Sequence, residues 1–148
     1  MGDLSALSRL VGEGQLERVG RGIYRAATRQ VTEHHGLLLA SVAVPAGVVC
    51  LLSALSFHSV GTQVPQEVWI AVDRRAARPG GRAVRVYNLA KTLADAFKYR
   101  NKIGTDVAVE ALRQSLAERR VSPAEIDRYS RICRVERVMR PYLEALAG

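Results

Sequence analysis

The chain has 148 residues, 48% hydrophobic and 24% charged, with a formal net charge of +8. This composition can bury a core, which excludes a disordered chain. No apolar run approaches the roughly 20 residues needed to cross a bilayer, so no membrane association is expected.

In chain order, the first informative stretch is Ser8 to Arg25. Arg9-Leu10-Val11 reads as the end of a helix, stopped at Gly12 and Gly14, which tolerate the left-handed backbone of a helix C-terminus. Leu16 and Val19 supply apolar anchors. Gly20-Arg21-Gly22 makes a tight turn at a basic tip, and Ile23-Tyr24-Arg25 is the returning strand. Helix, glycine turn and basic hairpin predict the second half of a winged helix-turn-helix over residues 1–30. A helix fits the major groove while guanidinium groups meet phosphates. The DNA-contacting candidates are Ser5, Ser8 and Arg9 on the reading helix, with Arg18, Arg21 and Arg25 on the wing.

Thr32 then caps a helix running through Val42, with Pro45 behind its end. Val48 to His58 reads as a buried helix from about Leu51, preceded by a short extended stretch. Val60 to Pro65 is a loop, and Glu67 to Val72 a buried strand rich in β-branched and aromatic residues. A basic loop from Asp73 to Arg82 leads to a second strand, Ala83 to Tyr87. Asn88 caps a helix reaching about Tyr99. Leu89, Leu93, Ala96 and Phe97 gather on one side of it, and Lys91, Asp95, Lys98 and Lys102 on the other.

Asn101 to Gly104 is a turn. A further helix starts at Thr105 or Asp106, with Ala108, Ala111, Leu112, Ser115 and Leu116 inward. Ser122-Pro123-Ala124-Glu125 is a capping box with proline at the first helical position. Its helix should place Tyr129, Ile132 and Cys133 on one face, and Pro141 is predicted to interrupt or kink the last segment of the chain. The fold class is therefore α/β in the α+β sense: a truncated amino-terminal winged helix-turn-helix, then a helix-rich α+β domain over residues 31–148.

Charge is uneven. Residues 73–102 hold nine bases against two acids, whereas residues 32–72 hold two acids and neither Lys nor Arg. The basic excess thus lies in the middle of the chain. Arg74, Arg75 and Arg78 of the loop, with Lys91, Lys98, Arg100 and Lys102, form a second candidate surface for an acidic or nucleic-acid partner. Asp95 is placed to pair with Lys91 or Lys98 one turn away. Arg128, Arg131, Arg134, Arg137 and Arg140 recur every three residues, a spacing that spirals round an α-helix and reads as solvated arginines partly paired with Glu136.

Catalysis is not expected. His34, His35 and His58 lack metal-ligand spacing. Glu67 and Asp73 lack a following acid-x-Lys, Ser53 and Ser56 lack a glycine elbow, and Gly12, Gly14, Gly20 and Gly22 do not precede a phosphate-binding helix with lysine. Cys50 and Cys133 have no Cys or His at zinc-site spacing and read as buried free thiols of a cytoplasmic protein. No metal or cofactor is expected, and the amino end shows no secretory leader.

The chain resembles the AbiEi family, antitoxins and transcriptional autoregulators of bacterial abortive-infection toxin–antitoxin systems. The stretches that carry the resemblance are 7–11 with 16–24, 47–58, 65–71, 86–95, 97–104 and 134–143, in order along nearly the whole chain. It implies a DNA-binding autorepressor of its own operator and an antitoxin against a nucleotidyltransferase-like toxin. Two departures mark a shortened member. Only Asp3 to Leu7 precede Ser8, and Arg78-Pro79-Gly80-Gly81 directly bridges segments that relatives separate by a few dozen residues. The shortening also raises an alternative, a toxin-neutralising interaction module that has lost DNA binding. A nuclease is a third reading. Within the resemblance, the second basic surface can face flanking DNA, the toxin's nucleic-acid substrate or an acidic partner, and the residues leave these open.

Overall fold

The computed structural model describes residues 8–27, 47–61, 67–72 and 85–147. It is a mixed α/β protein with a four-stranded antiparallel sheet and seven helices among these residues. Its contacts divide it into two compact units, Met1–Ser53 with Pro65–Val86, and Ala54–Val64 with Tyr87–Gly148.

The first unit is built on the sheet. Helical residues 8–12 (α1) lead into β1 (Glu17–Gly20) and β2 (Ile23–Ala27), followed by β3 (Gly47–Val49) and β4 (Glu67–Val72). The strand order is β1-β2-β4-β3. β2 pairs with β4 from Ile23 opposite Ala71 to Ala27 opposite Glu67. The hairpin therefore belongs to a sheet that crosses the sequence-based boundary at residue 30. Leu10, Leu16, Ile23, Val48, Val49, Val68, Trp69 and Ile70 are buried. Each large apolar side chain so placed contributes roughly 1.5–3 kcal/mol relative to exposure.

The expected short extended stretch and the helix after it are β3 and α2 (Leu51–Phe57), and the division between the units falls within α2. The Ser53 hydroxyl donates to the Glu67 carbonyl and accepts from the Trp69 backbone N–H, so a buried hydroxyl is satisfied on both counts. The expected strand over Ala83 to Tyr87 is corrected for its described residues. Val86 makes one isolated parallel bridge to Val49, and the Val49 N–H donates to the Arg85 carbonyl.

The second unit is helical: α3 (Leu89–Lys98), α4 (Arg100–Ile103), α5 (Thr105–Ala117), α6 (Pro123–Ile132) and α7 (Glu136–Ala147). α3 lies at its centre, packed on α5, α6 and α7. Leu93, Ala94, Ala96 and Phe97 meet Ala108, Ala111, Leu112, Ile126 and Met139 in a core with little or no exposure. The many alanines let helix backbones approach closely, and Phe97 and Leu112 fill the remaining volume.

Local signals set the helix ends. The Asn88 side chain accepts from the Lys91 N–H at the start of α3, and Ser122 with Glu125 forms the complete capping box of α6. Three expectations are corrected. The turn over Asn101 to Gly104 is the short helix α4 as far as Ile103. α7 continues through Pro141, which overturns the interruption expected there: proline removes one intrahelical bond while the helix face remains packed. Ile132 is 58% exposed, and the buried residues of α6 are Ile126 and Ser130, with Cys133 buried just after its end. The helix expected from Thr32 to Val42 lies outside the described residues.

Candidate nucleic-acid interface

α1 ends in a Schellman motif. Gly14, at φ +78°, donates to the Val11 carbonyl, and Gln15 donates to that of Leu10. This returns the chain so that Leu10 and Leu16 are both buried, leaving Ser8 and Arg9 exposed on the helix. β1 and β2 then pair with a register shift between Arg18 and Gly20, closing round Arg21 and Gly22. Gly22 has φ +71°, and a Cβ there would lie 2.9 Å from the Val72 carbonyl oxygen. The Val72 N–H donates to the Gly22 carbonyl at 2.7 Å, fastening the tip to the end of β4.

The hairpin arginines have different surroundings. Arg21 stands exposed at the tip with no ion pair or hydrogen bond among the described residues. Arg18 is exposed and its Nε donates to the Gly20 carbonyl at 3.3 Å. Arg25 is held internally. Its Nε and Nη2 donate to Glu17, its Nε lies 2.9 Å from Glu67, and its guanidinium sits 5.4 Å from the centroid of Trp69. The register explains this, because Arg25 faces Glu17 on one neighbouring strand and Trp69 on the other. Arg25 is thus a cross-strand strut, and the sequence sign of it is the Glu17/Arg25 spacing about a two-residue turn. Ser5 lies outside the described residues.

The members of the second basic surface also differ. Arg74, Arg75 and Arg78 lie outside the described residues. Lys91 Nζ contacts both oxygens of Asp95 at 2.7 and 2.6 Å and lies 4.4 Å from the Tyr87 ring centroid. Asp95 is only 6% exposed and also accepts from the Cys133 thiol at 3.6 Å. The polar side expected for α3 is therefore partly interior at Asp95. Burial disfavours the Lys91 ammonium, but the Asp95 carboxylate outweighs it and holds the lysine pKa above its ordinary value. Burial, with the Asp95 charge, pushes the Cys133 thiol up. Lys98 and Lys102 are exposed, Lys98 lies 5.7 Å from the Tyr99 centroid, and Arg100 donates to the Phe97 carbonyl. The outward cations of α3 and α4 are thus Lys98 and Lys102, with Arg100 partly committed.

The arginine series spans α6, a turn and α7, and so does not lie on one helix. Arg131 pairs with Asp127 and Glu136, Arg140 pairs with Glu136, and Arg134 occupies the turn at φ +61°. No group of three or more potential metal ligands occurs among the described residues, and no helix there is long and apolar enough to cross a membrane.

Residues 3–27 match a family model described as "Transcriptional regulator, AbiEi antitoxin". The match includes α1 and the β1–β2 hairpin, and it ends at Ala27, the last residue of β2. This amino-terminal stretch is similar to the regulators and antitoxins of that description. No curated protein and no solved structure matches the chain.

Proposed function

We propose that the chain is a DNA-binding transcriptional autorepressor of antitoxin type, with α1 and the β1–β2 hairpin as its DNA-facing part. One observation carries this reading: the stretch similar to AbiEi regulators coincides with a helix and a fastened hairpin whose tip holds an outward arginine. Ser8 and Arg9 on the helix, and Arg18 and Arg21 on the hairpin, are the contact residues. Arg25 acts through the hairpin's shape. The outward guanidiniums neutralise backbone phosphates, which positions the helix for base contacts. Arg74, Arg75 and Arg78 of the basic stretch 73–82 are proposed as further phosphate contacts on their charge. The operator is its own, the protein acts in the cytoplasm, and a nucleotidyltransferase-like toxin is its proposed second partner.

The test is binding of the full chain to duplex DNA from upstream of its own gene, titrated with salt. Specific binding should appear, with an affinity that falls as salt rises. Absence of binding to any duplex at low salt would leave the rival reading, an interaction module without DNA recognition.

A further inference from the structure

We propose that the duplex backbone meets the hairpin on its Arg18/Tyr24 face, where the Arg18 guanidinium and the Tyr24 hydroxyl hold one phosphate together. This rests on the DNA-binding reading above and adds to it a residue and a side. Successive residues of a strand point to opposite faces, so the register divides the hairpin side chains into two sets. Glu17 stands opposite Arg25, and Arg25 opposite Trp69. Glu67, two residues before Trp69, shares that face, and Arg25 is paired with both carboxylates. The cation there is already used, and two acids repel an approaching phosphate.

The opposite face differs. Arg18 stands opposite Tyr24, and Tyr24 opposite Ile70. No acidic residue of β1, β2 or β4 falls on this side. Arg18 is exposed and has no acidic partner among the described residues. Tyr24 is half-buried beside Ile70, which is 3% exposed, and a phenylalanine would cover Ile70 equally well. The Tyr24 hydroxyl makes no hydrogen bond among the described residues, yet the one buried side-chain nitrogen or oxygen without a partner there belongs to Arg85. The hydroxyl is therefore open to solvent, a free donor beside an unpaired cation. Side chains directly opposite in antiparallel strands leave the backbone about 5 Å apart. Their two polar ends can thus converge on a single phosphate, which accepts from both.

The test is salt-titrated binding of the full chain and its variants to duplex DNA from upstream of its own gene, with urea unfolding alongside. Tyr24→Phe removes the hydroxyl alone. It should weaken binding roughly tenfold at every salt concentration, the size of one hydrogen bond to a charged group. The salt slope should stay unchanged, because a neutral donor releases no counterion, and the urea midpoint should match the parent's. Arg18→Ala should lower the slope by about one unit. In the Arg18→Ala background, Tyr24→Phe should cost less than it does alone, since the shared phosphate is no longer held. Unchanged affinity of Tyr24→Phe, where the parent binds, would overturn this inference and leave the DNA-binding reading standing. So would a loss of stability in Tyr24→Phe, or a double substitution whose loss is the product of the single ones. A parent chain that binds no duplex at low salt would overturn that reading, and this inference with it.

Discussion

Gly22 and Val72 touch backbone to backbone: the Val72 N–H donates to the Gly22 carbonyl at 2.7 Å, while the Val72 oxygen occupies the space beside the Gly22 Cα. The hairpin tip is therefore held against β4. A side chain at residue 22 would meet both a positive φ and a backbone atom that cannot swing away. Gly22→Ala should cost about 2 kcal/mol or more, the left-handed backbone alone contributing roughly 1–2. Urea unfolding measures it. A cost below about half a kcal/mol would show that the tip is not fastened there.

Arg21 and Arg25 should separate in experiment, although both are hairpin arginines. Arg21→Ala should leave stability unchanged and reduce the salt slope of DNA binding by about one unit, the signature of one lost phosphate contact. Arg25→Ala removes a partner from Glu17 and Glu67. It should lower stability by about 1 kcal/mol, a modest figure because these ion pairs are partly solvated. Equal effects of the two substitutions on stability would contradict the strut assignment.

Lys91 provides a pH test. Its folded pKa is raised, so its contribution is fully present below the unfolded lysine value and is lost as pH rises through the folded value. Cys133, also raised, acts with the same sign around the ordinary thiol range. Both windows are alkaline. Stability should be insensitive to these groups near neutrality and decline beyond the thiol and lysine ranges. Lys91→Met leaves a buried carboxylate unpaired and should cost about 3 kcal/mol at neutral pH. Restoration by the double substitution Lys91→Met with Asp95→Leu would confirm the unpaired charge as the cause; urea midpoints across pH read both effects.

Arg119 and Arg134 end α5 and α6 in left-handed conformations, at φ +56° and +61°. Each supports the bond pattern of a Schellman motif, with Arg120 donating to Ser115 and Val135 donating to Ser130. Glycine meets this conformation without strain, at some entropic cost in the unfolded chain. Arg119→Gly and Arg134→Gly should each raise stability by about 0.5–1 kcal/mol, nearly additively, as shifts in thermal midpoint. A loss of stability in both would mean that the arginine side chains contribute contacts outweighing the backbone strain.

What could be read from residues alone was local. Asn88 and the Ser122–Glu125 box announce helix starts because caps act within one turn, and Gly14 and Gly22 announce backbone reversals because few other residues adopt them without strain. Leu89, Leu93 and Phe97 are legible as one buried stripe through the helical period. Pairing across long separations decided the rest. β4 bonds to β2 and converts the hairpin into the edge of a sheet; Arg25 becomes a strut because Glu67 arrives from a distant segment; Asp95 becomes interior because Cys133 closes over it. Such contacts depend on which surfaces meet once the chain has packed, and residue spacing along one segment carries no information about the charge or ring that a remote segment will bring.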